Sequence, residues 1–140
     1  MHKIGNPLYY AAAATTAIAG ILHLILVLPP TNPYALGTNI LFETFFIVAG
    51  IAQIFWALPM VKRWGKIWYY IGIAGTAILT ILWALTRVPN PITGGRAIPI
   101  DEIGIAIVVF QIAYIVITVI IIAKERSRSV QMIRDDNSGN

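Results

Sequence analysis

The chain has 140 residues, 58% of them hydrophobic and only 11% charged, with a mean hydropathy of +0.77. So apolar a composition excludes an ordinary water-soluble domain and points to an integral membrane protein. The net charge of +4 comes without a clustered basic face carrying base-stacking aromatics, which argues against a nucleic-acid partner; the lack of cysteine rules out disulfides, thiolate ligands and thiol catalysis.

Four segments have the roughly 20 apolar residues that a bilayer core requires. The first runs from Leu8 to Leu28 and ends in Pro29-Pro30. Ala35-Leu36-Gly37 loosely resembles a signal cleavage site, but the apolar run is too long for a signal peptide, so an uncleaved helix is expected. The second spans 36–59, the third 67–85 and the fourth 100–123. The expected fold is therefore all-α: a polytopic four-transmembrane-helix bundle over residues 1–123, followed by a polar tail, 124–140, that lacks apolar periodicity and should be mobile.

Lys3, Lys62, Arg63, Lys66, Lys124, Arg126, Arg128 and Arg134 fall on one side of these spans, and only Arg87 and Arg96 on the other. Short basic loops stay in the cytoplasm, which predicts a multi-pass protein of the plasma membrane with both termini cytoplasmic. Aromatic residues fit the same boundaries: Tyr9, Tyr10, Trp64, Trp68, Tyr69 and Tyr70 near the inner edge, Tyr34 and Trp83 near the outer. The outer connection 87–104, RVPNPITGGRAIPIDEIG, is the polar exception between apolar runs. Its prolines and glycines end helix three and shape a turn, Pro99 starts helix four, and Asp101 and Glu102 meet that helix's positive dipole end. Its length lets it fold back over the helix ends or present a contact surface.

An offset of 58 aligns Asn32-Pro33 with Asn90-Pro91, Gly37 with Gly95, Glu43 with Asp101 and Gln53 with Gln111, without a gap. Each half reads N-P-x3-G-x5-[ED]-x9-Q, with the glutamine about 15 Å below the acid. Two repeated hairpins related by a pseudo-two-fold along the membrane normal would produce this pattern, as would chance in so biased a composition. Ala12, Thr16 and Gly20 on helix one and Gly72, Thr76, Thr80 and Ala84 on helix three form small-residue ridges, so these two helices are expected to make the tight central contact, with Gly20 and Gly72 as packing residues. Gln53 and Gln111, near mid-membrane, are expected to hydrogen-bond between helices.

His23, five residues before the end of helix one, and Glu43, early in helix two, share a depth of about 7 Å, with Asp101, Glu102 and Arg87 near that level. Imidazole and carboxylates together can hold a copper or zinc ion or relay protons; alternatively Glu43 pairs with His23 or Arg87 only to neutralise charge. No HExxH-type spacing supports the metal, and His2 is terminal. G-x-S-x-G, P-loop and G-x-G-x-x-G motifs are absent, Gly72-Ile73-Ala74-Gly75 reads as a packing stretch, and a bis-histidine haem lacks a second membrane histidine.

His23-Leu24, the stretch G-I-A-Q-I-F-W-A-L at 50–58 and the Arg87-to-Asp101 loop with its I-D-x-I-G continuation resemble small, mostly uncharacterised four-helix integral membrane proteins of archaea and actinobacteria. The abundance of isoleucine also looks archaeal. The resemblance implies four helices and no reaction. The expected function is a non-catalytic accessory or structural subunit of a larger membrane complex, such as an oxidase or a copper-dependent monooxygenase, whose partners are the lipid bilayer and other membrane subunits or a second copy of itself. The alternatives are an outward-facing metal or proton-relay site built on His23, Glu43 and Asp101, or a small homodimeric transporter.

Overall fold

The computed structural model describes residues 6–28 and 40–139. The first interhelical turn, with Asn32-Pro33, Tyr34 and Gly37, lies outside them, as do His2 and Lys3. Five α-helices and one 3-10 turn make up the described chain: α1 (Asn6–Ile25), α2 (Ile40–Phe55), α3 (Ala57–Lys62), α4 (Lys66–Leu85), the 3-10 turn Pro91–Thr93, and α5 (Glu102–Ser138). α2 and α3 form one span, so four helical segments are long and apolar enough to cross a membrane, and the protein is an all-α, multi-pass membrane bundle. Below, the basic end is the one carrying Lys62, Arg63 and Lys66, and the loop end the one carrying residues 87–101.

The second span breaks at Trp56 because Pro59 has no N–H to give the Phe55 carbonyl four residues back. Pro59 was expected to end the helix; instead it occupies the first turn of α3, where no intrahelical donor is needed, and the span runs on to Lys62. α3 closes in a Schellman-type turn, Trp64 N–H to Pro59 O at 3.1 Å and Arg63 N–H to Met60 O at 3.3 Å. Arg63 takes the left-handed position of that turn (φ 53°), and its guanidinium lies 4.3 Å over the Tyr9 ring, a cation–π contact that offsets part of the backbone cost.

At the other end, Pro99 precedes α5 rather than starting it. The extended Asp101 (φ −120°, ψ 162°) is the N-cap, its carboxylate accepting the Gly104 N–H at 2.8 Å. A polar side chain that can satisfy an orphan amide fixes the helix start more firmly than a proline does. The segment 124–140, expected to be a mobile tail, is helical as far as Ser138. Its residues continue the hydrogen-bond ladder of α5, with the Ser127 and Ser129 hydroxyls donating to the carbonyls four residues back. The expectation rested on missing apolar periodicity, which reports on burial and not on the local ability to stay helical.

α1 is the hub: it packs against α5, α2 and α3, whereas α4 packs mainly against α5. The close contact expected between α1 and the third span is thus replaced by contacts of each with other helices. On α5 the buried residues Gly104, Ile107, Gln111, Tyr114, Thr118 and Ile121 recur at alternating steps of three and four, the seam of a helix packed at a shallow angle. The opposite face, including Val109, Val116 and Val119, is exposed for lipid. On α1, a Cβ on Gly20 would stand 2.6 Å from the Gly50 carbonyl oxygen, and one on Gly50 would stand 2.8 Å from the Gly20 carbonyl oxygen, so this glycine pair sets the α1–α2 approach. Gly72 faces Tyr114 and Trp56, so the small-residue ridge of α4 serves α5 and the base of α2. The principal core cluster lies at the basic end, where Tyr9, Ala12, Met60, Tyr69, Tyr114 and Ile121 pack together.

Candidate functional site

The titratable residues singled out above, Glu102 apart, are each engaged by neighbouring structure. Among the described residues no three His, Asp or Glu side chains gather as metal ligands. His23 is 5% exposed; its Nδ1 is 2.9 Å from the Ala19 carbonyl oxygen, so it donates there, and its ring is 6.0 Å from that of Phe46. The Gln53 amide approaches the ring without reaching hydrogen-bond geometry. Glu43 sits half-buried in the first turn of α2, where its charge suits the helix dipole. Asp101 caps α5, and Glu102 stands exposed beside it. Arg87 donates to the carbonyls of Ile98 at 3.3 Å and Pro99 at 3.0 Å, with its guanidinium 4.6 Å over the Trp83 ring.

The polar loop is ordered by its own side chains. The Asn90 carboxamide oxygen accepts the Ile92 and Thr93 N–H groups, while its Nδ2 donates to Leu85 O at 2.8 Å and Val88 O at 2.9 Å. Gly94 and Gly95 take positive φ (66° and 79°), which returns the chain so that Ile98 N–H reaches the Thr86 carbonyl at 2.8 Å. The loop therefore folds back over the end of α4.

The two glutamines differ. Gln111, 1% exposed, accepts from the Thr80 hydroxyl at 3.0 Å, an α4–α5 interhelical bond, although its Nε2 has no partner. Gln53, 4% exposed, lends only its main-chain carbonyl to Thr16 at 3.0 Å; its Oε1 and Nε2 are both buried with no partner. An unpaired buried amide costs on the order of 1–3 kcal/mol even by protein mutational measures.

Gln53 lines the feature that sequence reasoning did not find. α2 and α4 diverge from the basic end, where the Trp56 indole donates to the Trp68 carbonyl at 3.1 Å, and leave between them an apolar cleft of about 810 Å³ floored by Thr16 of α1. Val48, Ala52, Gly75 and Thr76 stand along its walls. Gly75, read above as a packing glycine, faces open space: a Cβ there would meet nothing within 4 Å. The available signal was the spacing of Gly72, Gly75 and Thr76, three and four residues apart, but a small-residue face in a sequence says that something approaches closely and not what. No family model, curated protein or solved structure matches the chain.

Proposed function

We propose that this multi-pass membrane protein is a non-catalytic accessory subunit of a larger membrane complex, of which an oxidase or a copper-dependent monooxygenase is the kind of enzyme in view, held with both termini in the cytoplasm. The observation that carries this reading is that the prominent ionisable groups are engaged in local structure: His23 on its own helix, Asp101 in a cap, Arg87 on loop carbonyls and Trp83. Groups so engaged stabilise the bundle and its loop but present no convergent set to a metal or a substrate. The basic-residue imbalance supports the orientation.

The test is gentle detergent extraction at native expression, followed by native gel separation, identification of co-migrating chains and metal analysis of the band. The expected result is migration with a larger complex and no stoichiometric metal on this subunit once isolated, with Glu43→Gln leaving the migration unchanged. A small homo-oligomer carrying copper or zinc that is lost with His23→Ala would overturn the proposal in favour of a metal site at the loop end.

A further inference from the structure

The stripe of α5 that faces away from the bundle does not stop where the lipid does. Starting at Ile105 and stepping four and three residues alternately, α5 meets only Ile, Val or Ala as far as Ile133, with Arg126 the single exception, and every side chain along this path is exposed. Up to Ala123, hydrocarbon would cover such a stripe. Val130 and Ile133, 61% and 64% exposed, lie six and nine residues past Lys124, about 9 Å and about 14 Å farther along the helix. The head-group layer is only about 5–8 Å deep on each side, and a helix with no proline and no break cannot bend to lay these residues back on it. Water therefore meets apolar side chains that continue, in phase, a seam begun inside the membrane.

A four-three repeat held over four heptads is the pattern by which one helix winds around another. We infer that the outer face of α5 pairs with α5 of a second copy of this chain, the two helices running parallel out of the membrane at the basic end as one left-handed coiled coil. This goes beyond the accessory-subunit reading and does not depend on it, since a pair can dock on a larger complex as a single copy does.

Symmetry and charge select the copy over a different helix. A partner must leave the membrane at the same level, stay helical for as long and carry its apolar residues in the same phase, conditions that a second α5 related by a two-fold axis along the membrane normal meets by construction. The flanking charges are self-complementary as well. With Val130 at heptad position a and Ile133 at d, Arg134 falls at e and Asp136 at g, on opposite sides of the seam. In a parallel pair the e side of each helix faces the g side of the other, so Arg134 of each copy comes opposite Asp136 of the other, offset by about 3 Å along the axis. Asn137, the next a position, meets its own counterpart, and a carboxamide both donates and accepts. Arg126, at d, works against the pairing by setting two like charges in the seam, which gives the test a sign.

The sequence has no cysteine, so a single introduced thiol reports alone. Val130→Cys and Ile133→Cys on the seam, and Asp135→Cys at the outward f position, are each oxidised with copper phenanthroline in native membranes holding the full chain. A disulfide-linked species of twice the chain mass is expected at 130 and 133 and not at 135, because only the seam brings the two backbones within disulfide reach. Added to Val130→Cys, Arg126→Leu should raise the yield. Arg134→Asp and Asp136→Arg should each lower it by roughly two- to thirty-fold, the range for two exposed ion pairs, and the two reversals together should restore it. That recovery separates a lost contact from a lost helix. Equal yields at the three positions, no dimer at any of them, adducts only with another protein, a fall with Arg126→Leu or no recovery in the double reversal overturns the inference.

Discussion

The α1–α5 seam and the α2–α4 cleft would be equivalent contacts if the offset of 58 described a two-fold bundle, yet one is packed and the other gapes. The side chains explain the difference. Towards its neighbours α1 turns Ala12, Ala13, Thr16, Ala19 and Gly20, all buried. At the offset of 58 the corresponding positions of α4 are Tyr70, Ile71, Ala74, Ala77 and Ile78, of which Tyr70, Ile71 and Ile78 are large and exposed. Helices in lipid approach only as closely as their bulkiest contact residues permit, since no water is squeezed out to reward a looser fit. The four polar and glycine matches that suggest a repeat are silent about those faces, and packing depends on the faces.

The sharpest way to break the comparison is to excavate the packed side. Tyr114 is fully buried between α5 and the α3–α4 end of the core, so Tyr114→Ala should cost about 3–5 kcal/mol in unfolding from mixed micelles. Next come two identical substitutions on the two regions. Gly20→Leu forces a Cβ to 2.6 Å from a backbone oxygen and should cost about 1–3 kcal/mol or more, whereas Gly75→Leu, which meets open space, should stay within about 0.5 kcal/mol. Equal losses would mean that the cleft is filled by the chain itself, and the distinction would collapse. Thr80→Val removes the hydroxyl that serves Gln111 and puts that amide in the condition of Gln53; a loss of about 0.5–2 kcal/mol is expected by the same measurement. The smallest effect lies at the loop end: Asp101→Ala, which strips the cap of α5, should cost about 1 kcal/mol.

The spans were legible because length and hydropathy alone decide what can cross a bilayer, and the boundaries of the third span moved by a single residue. Where local chemistry competed with that signal, the reading slipped. The apolar run of the second span is bounded at Pro59, but two residues upstream the chain restarts as a helix, which puts the proline in a first turn. Asp101, expected inside the first turn, is instead the N-cap, because the cap is chosen by side-chain geometry. The candidate site was less legible still. Equal depth on separate helices groups His23 with Glu43 and Asp101, but depth fixes one coordinate of three: Asp101 turns to the Gly104 amide of its own helix, and His23 packs beside Phe46, three residues on from Glu43. The cleft was hidden for the same reason: it arises from two helices that fail to meet, and a failure of contact leaves no mark on either segment.

One uninterrupted rod joins the two faces of the membrane. Behind its cap at Asp101, α5 runs from Glu102 to Ser138, 37 residues without a proline or a break, about 55 Å at helical rise. The bundle holds it as far as Glu125, whose carboxylate accepts the Tyr9 hydroxyl of α1 at 2.6 Å, and the part beyond projects as a pointer. Like the needle of a gauge it magnifies what happens at its pivot: a tilt of about 5° at the loop end displaces the tip at Ser138 by about 5 Å, as far as a whole turn of helix advances.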